Sequence, residues 1–294
     1  MGEISDALRR ARTATRRQGP ATPPAETRGG NEAILPEPAY EAQPAVDIPT
    51  TATGAWVGRS MLVEPDGPIA EQYRHTAIRL SRRLKEQDAT IVAVTSAERG
   101  DGKTTTACNL AMAMASTAGG RRIALVEMDL RRPSHCATLG ISPSVGFESV
   151  LAGQASLVDA RVPTQLTDLD LFPVVERPSD PLELLASPMT ASVLKDLGRR
   201  YDAVIVDTPP SLAVSDVPLL MPYLDAILFV ITAGTSRRGP VEAAFRAIGT
   251  DKIIGVFVNR SQEVGEKKYY RYGYETDPED AAATGEEGET TGGS

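Results

Sequence analysis

The sequence predicts an α/β domain with a mostly parallel sheet between helical layers. Three observations predict it. Short β-branched runs alternate with longer helical patterns. The runs are apolar almost without interruption, which marks strands buried on both faces. The segments between them are long enough for crossover helices.

The first run is TIVAVT at 90–95, and a helical pattern over 104–118 follows it. RIALVE at 122–127 is the second strand, LDLFPV at 169–174 the third and AVIV at 203–206 the fourth. AILFVI at 226–231 leads into a helical pattern over 240–249, and IIGVFV at 253–258 closes the series. No internal repeat is present. The periodic structure therefore spans residues 56–263 as one domain.

Polar segments flank it. Residues 1–55 are rich in Pro, Ala, Thr and charge and cannot bury enough apolar surface to offset their ordering entropy, so a flexible arm is expected. Within it Ile4, Ala7, Leu8 and Ala11 share one helical face, which fits either a fraying helix or a short docking helix. Residues 264–294 carry KKYYRYGYE near their start, at 267–275, and end in an acidic Gly/Thr-rich stretch expected to be disordered.

Composition narrows the function classes. The chain has 294 residues, 41% of them hydrophobic, so a packed core is available. A net charge of -8 argues against a general nucleic-acid binder. Two cysteines, Cys108 and Cys136, supply no disulfide framework and suit a reducing compartment. Two histidines, His75 and His135, offer little to a His-based triad or metal cluster. No apolar run approaches the ~18 residues of a membrane span, and the N-terminus has no signal-peptide core. The myristoylation pattern after Gly2 is incomplete. These features predict a cytoplasmic protein.

The strongest local signal follows the first strand. Ala97-Glu98-Arg99-Gly100-Asp101-Gly102-Lys103-Thr104 matches G-x-x-x-x-G-K-[ST], with Ala97 in place of the first Gly. Gly100 and Gly102 let the backbone curl so that N–H groups point at phosphate oxygens. The helix that begins near Lys103 adds the positive end of its dipole. Lys103 supplies a point charge to phosphate, and the Thr104 hydroxyl is placed to ligate Mg²⁺. Arg99, Asp101 and Thr105 complete the candidate nucleotide loop.

Acidic strand ends complete the constellation. The AVIV run ends in Asp207-Thr208-Pro209-Pro210, at the carboxyl edge where such sheets bind ligands. Asp207 is the candidate metal anchor. The second strand ends in Glu127-Met128-Asp129, whose alternation puts both carboxylates on one side of the chain. Such a pair can take metal-ligand and general-base roles.

Together these residues resemble the bacterial tyrosine kinases, relatives of the cell-division-site and plasmid-partition ATPases. The similarity runs over about 69–274. Asp129-Leu130-Arg131-Arg132-Pro133 resembles the end of the family's Walker A′ motif, and PLELLAS at 181–187 resembles its helix before the Walker B strand. The resemblance implies that Asn259 contacts adenine. It implies autophosphorylation between subunits on a tyrosine cluster, here Tyr269, Tyr270, Tyr272 and Tyr274, four of the chain's 8 tyrosines. It implies catalysis by Lys103, Glu127, Asp129 and Asp207, metal binding by Thr104, Asp129 and Asp207, and Mg-ATP as the phosphoryl donor. It further implies a role in exopolysaccharide or capsule assembly and a homo-oligomer. The implied partners are a membrane chain-length determinant (a polysaccharide co-polymerase) that recruits the chain to the inner face of the plasma membrane, and an opposing tyrosine phosphatase.

The chain departs from the pattern at three places. Glu127 stands where relatives usually carry Asp. Arg99 stands where many have Pro. The oligomerisation motif E-x-x-R-x-x-R fits Glu71 and Arg74, but Ala77 replaces the second Arg, with Arg79 nearby. Two further readings stay open: a partition-type switch ATPase, against which Glu98 occupies the position of the signature Lys, and a non-catalytic nucleotide-binding regulator.

Overall fold

The computed structural model describes residues 44–49, 60–117, 119–166 and 168–261. The phosphate-loop strand lies deep in a sheet of seven strands. They are β1 (Ile91–Ser96), β2 (Ile123–Glu127), β3 (Val162–Pro163), β4 (Leu169–Phe172), β5 (Ala203–Asp207), β6 (Ala226–Thr232) and β7 (Ile253–Asn259). Their order is β3-β4-β2-β5-β1-β6-β7. Every neighbouring pair is parallel except β3 with β4.

The helices in chain order are α1 (Ser60–Val63), α2 (Pro68–Glu86), α3 (Lys103–Thr117), α4 (His135–Leu139), α5 (Phe147–Leu151), α6 (Leu157–Ala160), α7 (Pro181–Ala186), α8 (Pro188–Arg200), α9 (Asp216–Leu220) and α10 (Arg238–Ile248). None of them is long and apolar enough to cross a membrane.

Two apolar cores lie on the two faces of the sheet. Val92, Val94, Leu125, Ile205 and Leu228 pack with α2 and α3 on one face. Ile91, Ala93, Val126, Val204, Ile227 and Phe229 pack with α5, α8 and α10 on the other. Alternation along β1 assigns its neighbours to opposite cores, so the run must be apolar throughout. Phe229 meets Phe245 of α10 edge-on at 4.8 Å between ring centroids. Tyr73 of α2 stacks on Phe257 of β7 at 5.4 Å, and burial pushes its phenol up to about 12.

Local chemistry sets the helix starts. Pro68, Pro181 and Pro188 open α2, α7 and α8, where a missing N–H costs nothing. Asp180 caps α7 by accepting from the Leu182 and Glu183 amides at 3.1 Å. The helix α3 is buried nearly all round, and its alanines 107, 111 and 113 let it sit close to the sheet.

Two features differ from expectation. Residues 44–49 fall within the expected flexible arm, yet they are docked. The Val46 N–H donates to the Pro163 carbonyl at 2.7 Å, and Ile48 is 1% exposed. Gln165 bonds the Ile48 backbone in both directions. The short antiparallel β3 is also unexpected: two residues, one of them Pro, carry no strand signal. The remaining expected arm, the face of Ile4, Ala7, Leu8 and Ala11, and the tail from 262 lie outside the described residues.

Candidate nucleotide site

The site forms where β1, β2 and β5 end at one edge. Register brings it together: Val94 of β1 and Glu127 of β2 each pair with Asp207 of β5. Parallel pairing of adjacent strands thus delivers the phosphate loop and the carboxylates to one place.

The loop from 97 to 102 joins β1 to α3. Gly100 and Gly102 have φ of 87° and 88°, the left-handed region that side chains resist. A Cβ on Gly102 would also fall 2.0 Å from the Asn259 amide nitrogen. Asp101 faces inward. Its carboxylate accepts from the Ser236 hydroxyl at 2.6 Å and the Glu98 amide at 3.3 Å. Its carbonyl accepts from Thr232 at 3.2 Å and Asn259 at 3.1 Å. The ends of β6 and β7 therefore clamp the loop from behind, leaving its curl to face the edge. Arg99 is exposed, Lys103 is buried, and Thr104 and Thr105 are half-buried at the head of α3.

The Thr104 hydroxyl donates to Asp207 Oδ2 at 2.7 Å. Asp207 is fully buried, and its Oδ1 has no hydrogen-bond partner among the described residues. A buried carboxylate oxygen without a donor calls for a cation or water. Asp129 stands half-buried beside them and accepts from the Arg132 amide at 3.1 Å. Burial raises the Asp129 pKa and the Asp207 charge adds to the rise, while Lys103 and the Arg132 amide oppose it.

Two candidate residues are tied to the backbone around them. Glu127 is fully buried and engaged by backbone: Oε1 accepts from the Ser134 and His135 amides and Oε2 from the Val174 amide. Asn259 spends its amide on the loop carbonyl of Asp101. Composition also undervalued His135. It is fully buried, with Nε2 3.1 Å from Asp207 Oδ2. Burial lowers its pKa, but the Glu127 and Asp207 carboxylates outweigh that and the net shift is upward. No local pattern signals this pairing, because 72 residues separate the two.

Arg131, two residues past Asp129, forks onto the fully buried Asp216 at 2.9 and 3.0 Å. Glu98 pairs with Arg237 at 3.0 Å. Glu71 pairs with Arg74 at 3.0 Å, while Ala77 is buried in the core and Arg79 points to solvent. Thiol chemistry is unsupported: burial holds Cys108 well above its usual pKa and pushes Cys136 up to about 11. Tyr269, Tyr270, Tyr272 and Tyr274 lie outside the described residues.

A family model described as an AAA domain matches residues 89–235, half of the chain. The chain is 32% identical to the tyrosine-protein kinase YwqD of Bacillus subtilis over 72% of its length, and it covers 89% of that protein. The chain belongs to the bacterial tyrosine kinase family. It is also 28% identical, over 74% of its length, to the succinoglycan biosynthesis transport protein ExoP of Rhizobium meliloti, but spans only 29% of that longer relative. The solved kinase domain of VpsO superposes with a TM-score of 0.59 at 35% identity, over 65% of this chain and 95% of that domain. These likenesses establish the nucleotide-binding P-loop fold of the family.

Proposed function

We propose that this chain is an ATP-dependent protein-tyrosine kinase that modifies a second copy of itself and acts in exopolysaccharide or capsule assembly. The observation that carries this reading is the Thr104–Asp207 hydrogen bond, which joins the phosphate loop to a buried carboxylate with one bare oxygen. The two left-handed glycines and the bare Asp207 Oδ1 fit Mg-ATP. When bound, Mg-ATP supplies the phosphoryl group.

The protein's own residues do the rest. Lys103 neutralises phosphate charge. The loop backbone from Arg99 through Thr105 orients the nucleotide, and Asn259 borders it. Thr104, Asp129 and Asp207 hold the metal. The Thr104 proton is given to Asp207, so its lone pairs face outward to a cation. Asp129 takes the tyrosine proton: it stands half-buried beside the Thr104–Asp207 pair, with the Arg132 amide on its carboxylate. Glu127 has no such freedom, with three backbone amides on its oxygens. Positioning and charge neutralisation suffice for a transfer with a loose transition state.

Residues 56–263 form the kinase domain in this reading, with 1–55 as an arm and 264–294 as the substrate-bearing tail. The acceptors are Tyr269, Tyr270, Tyr272 and Tyr274, presented in trans within a homo-oligomer. A membrane chain-length determinant recruits the chain to the inner face of the plasma membrane, and a tyrosine phosphatase reverses the modification. ExoP, named for succinoglycan biosynthesis transport, supports the link to polysaccharide.

The test is phosphopeptide mapping after incubation with Mg-ATP and the partner's activating segment. The four tyrosines should be labelled, and Lys103→Met should abolish the label. ATP hydrolysis that leaves them unmodified would sink the kinase reading. ATP-dependent sedimentation with liposomes or DNA would favour a switch ATPase instead.

A further inference from the structure

His135 is the first residue of α4 and has no exposed surface. Its backbone N–H donates to Glu127 Oε1 at 2.9 Å, and the neighbouring Ser134 N–H donates to the same oxygen. The Val174 N–H holds Glu127 Oε2 at 2.9 Å. Glu127 thus ties the end of β2 to the start of α4 and to the chain leaving β4. The extra methylene of Glu over Asp lets the carboxylate reach beyond the strand end to these amides.

On its other side His135 addresses Asp207. An ionised carboxylate only accepts, so the 3.1 Å contact places a proton on the imidazole Nε2. Nδ1 has no partner among the described residues. Asp207 Oδ2 therefore takes two donors, Nε2 of His135 and the hydroxyl of Thr104, while Oδ1 takes none. Two donors on one oxygen fix the rotamer of the carboxylate. They also decide which oxygen stays open.

We propose that Glu127 and His135 are positioning residues for the metal anchor. Glu127 sets the place of His135, and His135 holds Asp207 so that Oδ1 is presented to the hydrated divalent cation. A ligand's outer partner commonly governs metal affinity in this way. The inference rests on the nucleotide-site reading above. It gives the Glu127 departure a purpose: the residue acts through His135 and does not exchange protons with substrate.

The experiment is calorimetric titration of the full chain with ADP across a series of Mg²⁺ concentrations, and in EDTA. His135→Leu should raise the Mg²⁺ concentration for half-maximal tight binding about tenfold while leaving ADP affinity in EDTA unchanged. His135→Gln, which can return a donor near the Nε2 position, should restore most of the Mg²⁺ dependence. His135→Asn, too short to reach, should behave like His135→Leu and serves if the Leu variant does not fold. Wild-type Mg²⁺ dependence in folded His135→Leu or His135→Asn overturns the proposal. So does tight Mn²⁺ binding without nucleotide that His135→Gln abolishes, since the oxygens and nitrogen of Glu127, His135 and Asp207, within 4.8 Å of one another, would then be direct ligands. A wild-type chain that binds no ADP at all sinks the functional reading itself, which is a different result.

Discussion

The side-chain amide of Asn259 occupies the space that a Cβ on Gly102 would need, 2.0 Å from its nitrogen. The last strand of the sheet is thereby pressed against the phosphate loop, and the same amide donates to the Asp101 carbonyl. Gly102→Ala should suffer twice. The left-handed backbone at 88° costs a side chain roughly 1–2 kcal/mol, and the methyl group must also displace Asn259. Loss of nucleotide binding by calorimetry together with a lowered melting temperature is expected. Asn259→Ala in the same background should recover part of the stability, because it removes the obstructing amide.

Asp129 gives a pH signature. Its folded pKa lies above that of an unfolded aspartate, chiefly through burial and then through Asp207. Its proton is therefore held more tightly in the folded state. The resulting stability is present below the unfolded pKa and is lost as pH rises through the folded pKa. At neutral pH the charged side chain is a liability to the fold. Asp129→Asn should melt no lower than wild type at pH 7 yet lose tyrosine phosphorylation. Retained tyrosine phosphorylation in folded Asp129→Asn would remove Asp129 as the proton acceptor.

Glu127→Asp restores the residue that relatives usually carry, but here it should harm. The shorter side chain cannot keep the amides of Ser134, His135 and Val174, all of which donate to Glu127. Leaving such buried donors unsatisfied costs about 3 kcal/mol. Chemical denaturation should show the loss, and phosphorylation should fall with it. A gain of phosphotransfer in Glu127→Asp would favour the regulatory-homologue reading instead.

Arg131→Leu strands a buried charge. Asp216 has no exposed surface, and the guanidinium meets both of its oxygens. Because Arg131 is itself 32% exposed, the loss should be about 2–3 kcal/mol, below that of a fully buried pair. Arg131→Lys should recover only part of it, since an ammonium cannot fork. Urea denaturation of the three proteins measures the ranking.

Most of the sheet was legible because its signal is local. A strand covered on both faces must be apolar at every position, and the runs around Val92, Leu125, Val204 and Leu228 are. The phosphate loop was legible for a similar reason: Gly102, Lys103 and Thr104 are adjacent in the chain. What sequence could not show depends on contacts across the fold. Ile48 enters the core from a Pro- and Ala-rich stretch whose composition argues for disorder. The partners of Glu127 lie at 134, 135 and 174, and nothing near position 127 announces them. His135 looked like a spare histidine until β5 brought Asp207 beside it.

The placement of β5 between β2 and β1 sets the order in which the site can come into being. On the ribosome, the loop after β1 emerges roughly a hundred residues before Asp207. Until β5 slots between its two elders, a nascent chain owns a phosphate loop without Asp207, its proposed metal anchor. Any grip on nucleotide that depends on Asp207 is therefore expected only of the finished domain.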